Sequence, residues 1–366
     1  MKFITLKENL KDGVLLVEKN TGRKTTLPIL STILCTAENG KITLTATNLE
    51  TAVEVWVGGK IEREGRVAIP ARVLSSYISL VGGDHITCSV KNGNVEFISN
   101  TGRTVIHGQT ADEFPLVPQQ TESTRFNIPG SVLQASLRNV SIASSVSDIK
   151  PEIASVYISL THQKATFAAT DSFRLAEQQV SGVFGDKGWS QSFLLPVRSV
   201  NDLTRLLEHD GGDVVVSLGA GQVVFQTKRF RMISRLVEGS FPDYQRIVPV
   251  AFTTEFTLSK DILLDMLRVA GVFVGKLSDI TFHINPHDKK IEVRAQNADV
   301  GENQVHANTP VTGKEMTISF NYRYIMDGLQ NMSGDVFFGF ASPEGPLLMR
   351  SKDDSSYFYI VMPMKI

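Results

Sequence analysis

The sequence predicts an α+β protein of three similar domains, each with two helices packed on antiparallel sheets. Two patterns that each occur three times support this prediction. One is a strand, a helix, a glycine and an aspartate in succession, at residues 67–84, 193–213 and 317–335. The other is a strand that leads into a helical pattern and contains Phe3, Phe126 or Phe256. Because a repeated unit indicates one fold copied along the chain, we expect three domains of the same kind.

The first helix of each repeat is predicted from aliphatic residues at fixed distances from the phenylalanine. They follow it by seven and eleven positions, which places both on one face of a helix. These residues are Leu10, Val14, Leu133, Leu137, Leu263 and Leu267.

The second helix of each repeat has a recognisable start and end. Pro70 and Pro196 suit the first turn of a helix, where no backbone N–H is lost, and Asn321 is suited to cap the third such helix. Apolar residues at helical spacing follow, and glycines before an aspartate stop each helix.

The remaining segments predict strands, which gives each repeat the order β-α-β-β-β-α-β-β-β. Alternating runs in the three repeats end in turn-forming residues at equivalent places, Asn48, Asp171 and Asn297. Hairpin turns are predicted at Asn92–Gly93 and at Gly219–Gly221.

Proline-containing segments mark the ends of the first two repeats. Phe114–Pro115 and Phe241–Pro242 are each followed by a second proline, and a polar linker comes after the first of them. We therefore expect domains at residues 1–120, 125–249 and 250–366, each of a size that is common for a domain.

Composition narrows the function classes. A net charge of −1 excludes a protein coated with basic residues, so any cationic surface must be local. The two cysteines, Cys35 and Cys88, are expected to be buried apolar residues in a reducing compartment. The N-terminus lacks the apolar core of a signal peptide, and no apolar run approaches the roughly 20 residues of a membrane span. We expect a soluble, cytoplasmic protein.

The sequence contains no complete motif for catalysis or metal binding. The segment Gly271–Leu277 is one residue too short for a phosphate-binding loop and lacks the Ser or Thr that would hold magnesium. No nucleophile elbow is present, and no cysteine and histidine pairs stand at zinc-ligand spacing. We therefore expect no enzyme, no catalytic residue, no metal site and no cofactor. The alternative function among enzymes is a hydrolase whose catalytic acids are scattered along the sequence.

One polar feature does recur. An arginine stands two residues after each helix-opening residue, and on a helical wheel Arg72, Arg198 and Arg323 lie away from the apolar face. Unpaired N–H groups and a guanidinium together suit a phosphate. A weaker version of this pattern occurs in the first helices of the second and third repeats, where Arg138 and Arg268 stand at equivalent positions. Two interpretations stay open, namely ordinary solubilising arginines or a shared cationic face for a polyanion.

Six motifs carry a resemblance to a known family. They are LPIL at 27–30, NLE at 48–50, PAR at 70–72, ATDSFRL at 169–175, SRLVEGSFPDYQRIVP at 234–249 and VMPMKI at 361–366. On these motifs the chain resembles, over its full length, the bacterial DNA polymerase III beta subunit, the sliding clamp. One departure is mild: where the family commonly has ATDGHRL, this chain has Ser172 and Phe173, which change the edge of a pocket.

The resemblance implies the DNA clamp fold, which closes as a head-to-tail dimeric ring of six domains with helices around the hole. It implies a processivity factor in DNA replication, which encircles duplex DNA without regard to sequence. The expected DNA-facing residues are Lys24, Arg72, Arg138, Lys150, Arg198, Arg205, Arg268 and Arg323. A few loose phosphate contacts permit sliding, whereas many tight ones would prevent it.

The resemblance also implies a hydrophobic groove for short linear motifs of the replicative polymerase, the clamp loader, and repair and translesion polymerases. Its expected residues are Ile153, Thr170, Ser172, Phe173, Arg174, Leu175, Pro242, Arg246, Ile247, Asn321, Tyr324, Ile360, Met362, Pro363 and Met364. Apolar members would bury leucine or phenylalanine anchors, with Arg174 and Arg246 at the edge and Met364 as a mobile gate.

The expected dimer interface joins the end of the first domain to the third domain of a second copy. Its residues are Arg103, Val105, Ile106, His107, Val272, Phe273 and Leu277. The alternative from another class is a monomeric three-domain scaffold or adhesion module, which explains the repeats but not the aligned arginines.

Overall fold

A computed structural model describes residues 1–22, 27–117, 124–147, 149–182, 184 and 187–365. The described residues form six α-helices, two in each third of the chain. They are α1 (Lys7–Glu18), α2 (Ala71–Leu80), α3 (Gly130–Ser141), α4 (Val197–Glu208), α5 (Lys260–Gly271) and α6 (Tyr322–Gln330). Short 3₁₀ helices occur at Pro28–Ser31, Ala111–Glu113 and Tyr244–Ile247.

Antiparallel strands make up most of the fold. The first third holds β1 (Lys2–Leu6), β2 (Thr32–Glu38), β3 (Lys41–Thr47), β4 (Thr51–Val57), β5 (Gly59–Arg63), β6 (Gly65–Pro70), β7 (His85–Lys91), β8 (Asn94–Ser99) and β9 (Gly102–His107). The second holds β10 (Thr124–Pro129), β11 (Ser155–Thr161), β12 (Lys164–Thr170), β13 (Arg174–Ser181), β14 (Ser190–Pro196), β15 (Asp213–Gly219), β16 (Gln222–Gln226) and β17 (Phe230–Arg235). The third holds β18 (Thr254–Ser259), β19 (Asp279–Asn285), β20 (Lys290–Asn297), β21 (Gly301–Asn308), β22 (Val311–Gly313), β23 (Met316–Asn321), β24 (Asp335–Phe340), β25 (Leu347–Ser351) and β26 (Tyr357–Val361).

The helices bury the faces that the sequence predicts. All six aliphatic residues of the first-helix pattern are at most 3% exposed, so each of these helices turns them to a core. The side chain of Asn321 accepts a hydrogen bond from the backbone N–H of Arg323, which confirms it as the N-cap of α6. The two prolines sit one residue earlier than predicted: Pro70 is the N-cap of α2, and Pro196 ends β14.

The strand order of the repeats contains more strands than predicted. Among the described residues, five strands lie between the two helices of the first third, four in the second and five in the third, where three were expected. The strand missed in every repeat follows the predicted turn: β4, β13 and β21. Each of these strands begins four residues after the preceding strand ends, across the predicted turn. The predicted hairpins are present, with Gly93 and Gly221 at positive φ.

The chain divides into two compact units, each with two sheets. The unit of Met1–Gln134 and Arg198–Leu236 contains a five-stranded sheet, β5-β1-β7-β8-β9, and an eight-stranded sheet, β10-β15-β16-β17-β4-β3-β2-β6. The unit of Ala135–Val197 and Val237–Ile366 contains a nine-stranded sheet, β14-β11-β12-β13-β26-β25-β24-β18-β22, and a four-stranded sheet, β21-β20-β19-β23.

Both large sheets cross a repeat boundary in the same way. Strand β4 pairs with β17, the last strand of the next repeat, with Ala52 opposite Ile233. Strand β13 pairs with β26, again the last strand of the next repeat, with Leu175 opposite Ile360. These two joints, β4–β17 and β13–β26, tie neighbouring repeats into continuous sheets.

Both cysteines are buried and unpaired, as expected. Burial in apolar surroundings raises the pKa of Cys35 to about 12 and the pKa of Cys88 above its ordinary value, so neither thiol is reactive. Among the described residues, no helix is both long enough and apolar enough to cross a membrane.

Gly328 of α6 should not tolerate a larger side chain. A Cβ atom there would lie 2.5 Å from Cε of Met349 and from Cδ1 of Tyr359, so Gly328→Val forces α6 away from the sheet. We expect it to lower the free energy of unfolding by about 1–3 kcal/mol. Thermal unfolding measures the effect. In the matched variant Gly211→Val, the added Cβ atom meets no described residue within 4 Å apart from its chain neighbours, so the melting temperature should change little. Equal losses in both variants would contradict the packing argument.

Candidate functional site

A tight turn between β12 and β13 forms one side of the candidate site. The hydroxyl of Thr170 donates to the backbone O of Arg174 at 2.7 Å and accepts from the N–H of Ser172 at 3.1 Å. Asp171 Oδ1 accepts from the N–H groups of Phe173 and Arg174. Ser172 has a φ of 79°, which favours glycine, and the hydrogen bonds around it hold the turn in this conformation. The turn leaves Phe173 61% exposed.

Arg174 connects this turn to α6 and β26. Its Nε donates to Asp171 at 2.9 Å, and its Nη1 donates to Asp327 and lies 3.5 Å from the Tyr359 hydroxyl. The guanidinium carbon lies 4.4 Å from the centre of the Tyr324 ring. Burial acts to lower the pKa of Arg174, but Tyr359 and the two carboxylates outweigh it and raise the pKa. The guanidinium therefore stays charged and fixed in place.

The floor of the site is apolar. Leu175, Ile360 and Tyr244 are all at most 6% exposed and pack in one cluster with Ala168 and Leu348. The Tyr244 hydroxyl donates to the buried carboxylate of Glu177. Burial raises the pKa of Tyr244, and Glu177 raises it further, so the hydroxyl stays protonated as a donor.

The C-terminal tail forms the opposite side. The N–H of Met362 donates to the backbone O of Phe173 at 2.8 Å, and the N–H of Met364 donates to the backbone O of Ser319 at 2.8 Å. These bonds fix the backbone of the tail between the turn and β23. The side chains of Met362, Pro363 and Met364 remain half-buried, so two flexible thioethers stay partly accessible at the surface.

The structure brings most of the predicted groove residues together. Bonds, strand pairing or ring contacts connect Thr170, Ser172, Phe173, Arg174, Leu175, Tyr324, Ile360 and Met362. The backbone of Met364, two residues further on, bonds to Ser319 of β23. Asn321 lies at the start of α6, where its side chain serves as the cap. Pro242 and Ile247 are exposed beside Tyr244. Ile153 lies in the loop before β11, where its backbone bonds with Lys150 and Ser145 do not connect it to the groove.

Sequence reasoning missed several residues that support the site. Asp327 and Tyr359 hold Arg174, Glu177 holds Tyr244, and Phe241 stacks on Tyr157 with ring centres 5.2 Å apart. Asp327 follows Tyr324 by three residues on α6, a spacing that places both on one helix face. That spacing could have indicated from the sequence that Asp327 lies beside Tyr324. Glu177 lies 67 residues before Tyr244, and no local pattern indicated that pair.

The predicted cationic residues differ in their surroundings. Arg72, Arg138, Lys150, Arg198 and Arg323 are exposed. Arg268 is exposed but lies 3.1 Å from Asp265. Arg205 is engaged within its unit, where its guanidinium donates to the backbone O of Leu16 and to Asn20 Oδ1. Lys24 lies outside the described residues.

The predicted interface residues lie on one sheet edge and one loop. Strand β9 forms an edge of the five-stranded sheet, with Val105 45% exposed and Arg103 paired with Glu96. Ile106 is 5% exposed and already packs within its own chain. Val272 and Leu277 are 66% and 67% exposed, respectively, and lie between α5 and β19, with Phe273 near them in the same loop.

The two arginines predicted at the groove edge should differ in their contribution to stability. Arg174 and Arg246 each pair with an aspartate three residues earlier, but their side chains are 11% and 85% exposed, respectively. Arg174→Lys loses the planar fork of donors, and we expect it to lower the free energy of unfolding by about 1.5–3 kcal/mol. Arg246→Lys should change it by less than about 0.5 kcal/mol. Thermal unfolding compares the two, and a similar melting temperature for both variants would rule out the network around Arg174 as a stabilising element.

Comparisons with known proteins agree on one family. The N-terminal, central and C-terminal domains of the DNA polymerase III beta subunit match residues 1–118, 127–243 and 245–365, respectively. Beta sliding clamps of Synechococcus elongatus and Bacillus subtilis are each 25% identical, with all of both chains covered.

Solved structures show the same fold. The sliding clamp of Pseudomonas aeruginosa bound to griselimycin has a TM-score of 0.95 at 24% identity, and all of both chains is covered. The Bacillus subtilis clamp has a TM-score of 0.95 at 24% identity, with 100% of this chain and 99% of that chain covered. The chain has the DNA clamp fold and belongs to the DNA polymerase III beta-subunit family, the sliding clamps that act as processivity factors.

Proposed function

We propose that this chain closes head-to-tail with a second copy into a ring around duplex DNA. In this proposal the ring tethers the replicative polymerase through the groove of Phe173, Leu175, Ile360, Met362 and Met364. The observation that carries this proposal is the joint between repeats, which occurs twice within the chain. Among the described residues, the two strands that would form a third joint of this kind, β21 and β9, both lie at sheet edges.

Strand order supports the head-to-tail contact. In both joints the strand that follows the predicted turn pairs with the last strand of the next repeat. The third such strand is β21, an edge of the four-stranded sheet, and the remaining last strand is β9, an edge of the five-stranded sheet. Pairing of β21 with β9 of another copy completes the series. Such a contact joins two different surfaces, and it closes a ring when the rotation per copy allows it.

Register and burial favour the same contact. The β8–β9 hairpin can be superposed in register on the β16–β17 hairpin by matching Phe97 to Phe225. Val105 of β9 then occupies the position that Ile233 of β17 has in the first joint. Ile233 is 4% exposed because β4 covers it, and its counterpart Ile360 is 1% exposed beneath β13, whereas Val105 is 45% exposed. An apolar residue on an unpaired strand edge is a template for association with another chain.

The cationic helix starts support DNA in the ring. Arg72, Arg198 and Arg323 each occupy the second residue of α2, α4 and α6 and are exposed. Arg138, Lys150 and Arg268 are further proposed contacts, and Lys24 and Arg205 complete the predicted set. Because affinity rises with each phosphate that is neutralised, a small set of such contacts holds DNA loosely enough to slide.

The groove supports binding of short linear motifs. Phe173 and Ile247 are exposed apolar side chains, and the half-buried methionines of the C-terminal tail adapt to different anchors. We propose the clamp loader and the repair and translesion polymerases as further partners. The chain itself would be a non-catalytic, cytoplasmic accessory subunit. We also propose domains at 1–120, 125–249 and 250–366, which the family matches support.

The ring proposal predicts that Val105→Asp gives a folded monomer. A carboxylate at the joint leaves a buried charge without a partner, whereas in the free chain Val105 is partly exposed. Sedimentation velocity should show dimers for the unchanged chain and for the control Val215→Asp, a strand valine that is 39% exposed. Loaded onto a DNA circle, the unchanged dimer should remain until the circle is cut. A dimeric Val105→Asp variant, or equal retention on linear DNA, would refute the ring.

The groove proposal predicts weaker peptide binding by Met364→Ala. Loss of one buried apolar side chain removes about 1.5–3 kcal/mol of binding free energy, which weakens binding by roughly ten- to a hundredfold. Fluorescence anisotropy with a labelled motif peptide of the replicative polymerase measures the dissociation constant. Ile262→Ala, an exposed apolar position on α5, is the control. Unchanged affinity in Met364→Ala, or equal losses in both variants, would remove the groove assignment.

A further inference from the structure

The joint between the first and second repeats contains a pocket that the proposed function does not use. Its volume is about 210 Å³. Leu49, Leu116, Val117 and Ile233 supply apolar walls, and Glu50 and Arg235 also line it. Leu116 is 94% exposed, so an apolar surface already faces solvent beside the pocket.

The turn in this pocket has the same hydrogen bonds as the turn in the groove. The Thr47 hydroxyl donates to the backbone O of Thr51 and accepts from the N–H of Leu49, as Thr170 does in the groove. Asn48 Oδ1 accepts from the N–H groups of Glu50 and Thr51, in the place of Asp171. The residue with positive φ is Leu49 here, at 76°, and Ser172 in the groove, at 79°.

The strand beyond the turn also corresponds. The N–H of Arg235 donates to the backbone O of Glu50 at 3.0 Å, and the N–H of Met362 donates to the backbone O of Phe173 at 2.8 Å. Glu50 therefore takes the place of Phe173, and Arg235 takes the place of Met362. The pocket and the groove are equivalent positions of two joints with one backbone geometry.

The side chains differ in a way that sets the occupant. Ala52 stands where the groove has Leu175, and Thr51 stands where it has Arg174, so less side-chain volume fills this joint. The pocket is smaller than the roughly 300–1,000 Å³ of a typical small-molecule site, and it suits one apolar side chain. Arg235 places an exposed guanidinium in the lining, together with the exposed carboxylate of Glu50. A guanidinium binds carboxylates through two parallel hydrogen bonds, and arginine is enriched at protein interfaces where glutamate is depleted.

We propose that this pocket binds a second peptide segment, whose leucine- or phenylalanine-sized side chain enters between Leu116 and Ile233. An acidic residue two positions from the anchor, on the same side of an extended peptide, pairs with Arg235. The inference rests on the proposed function, because it treats the equivalent groove as a peptide site. A clamp with both sites engages one partner at two points of the chain, which raises the effective concentration of the second contact.

Methyl NMR of the intact protein, labelled at isoleucine, tests the proposal with separate reporters. Ile233 reports on the pocket and Ile360 on the groove. The probe is acetyl-Gly-Leu-Gly-Asp-Gly-amide, and the comparison peptides carry Asn or Lys in place of Asp. We expect a saturable shift of the Ile233 methyl signal by the Asp peptide. The Asn peptide should bind roughly two- to fivefold more weakly, the factor of a solvent-exposed ion pair.

Two variants assign the contacts. Leu116→Asp, at a side chain that is almost fully exposed, should abolish the Ile233 shift without unfolding the protein. Arg235→Gln should remove the difference between the Asp and Asn peptides, whereas the control Arg125→Gln, an exposed strand arginine, should preserve it.

An unmoved Ile233 signal, stronger binding of the Lys peptide, or equal binding of the Asp and Asn peptides would overturn the proposal. None of these outcomes bears on the groove, whose test is the affinity of the polymerase peptide for Met364→Ala. The two failures are therefore distinguishable.

Discussion

The structure depends on one pairing rule, in which the strand that follows the turn of one repeat pairs with the last strand of the next repeat. An unpaired strand edge exposes a row of backbone N–H and C=O groups, and the strand after the turn presents such an edge in each repeat. In the first two repeats the last strand of the next repeat covers it, as the β4–β17 and β13–β26 ladders show. Strand β21 of the third repeat remains an edge of its sheet among the described residues. The same rule that holds the repeats together therefore also specifies the surface proposed for a second copy.

The turns at the joints explain why binding sites arise there. In each turn, Thr and Asn or Asp side chains satisfy the backbone N–H groups, so the turn needs no further partner. The next side chain, Glu50 or Phe173, is then free to face solvent beside the neighbouring strand. The residues after it decide how much of each joint is filled. Arg174 fills and fixes the second joint, whereas Thr51 and Ala52 leave the first joint open.

The sequence predicted features that depend on local periodicity. The aliphatic positions after each phenylalanine are buried, Asn321 caps α6, and the Asn92–Gly93 hairpin is present. Strands β4, β13 and β21 were missed, because each follows the preceding strand after a turn of only three residues. Pairing between repeats joins residues more than 170 positions apart, such as Thr51 and Ser234, and no local pattern encodes that partner. The groove residues came from the family resemblance, and the network that positions them was visible only in the structure.

The arginines show the same limit at the level of single side chains. A helical wheel identifies the face of a helix but not the partner of a residue on it. Arg72 and Arg323 are exposed as the wheel predicts, whereas Arg205 reaches back to Leu16 and Asn20 at the end of α1. Arg205 also lies 3.4 Å from Asp202, so its charge is partly neutralised. A guanidinium bound in this way would contribute less to phosphate binding than one held only by its helix. The cationic face that is open to a polyanion is therefore smaller than the count of arginines suggests, which suits a protein that must hold DNA without stopping on it.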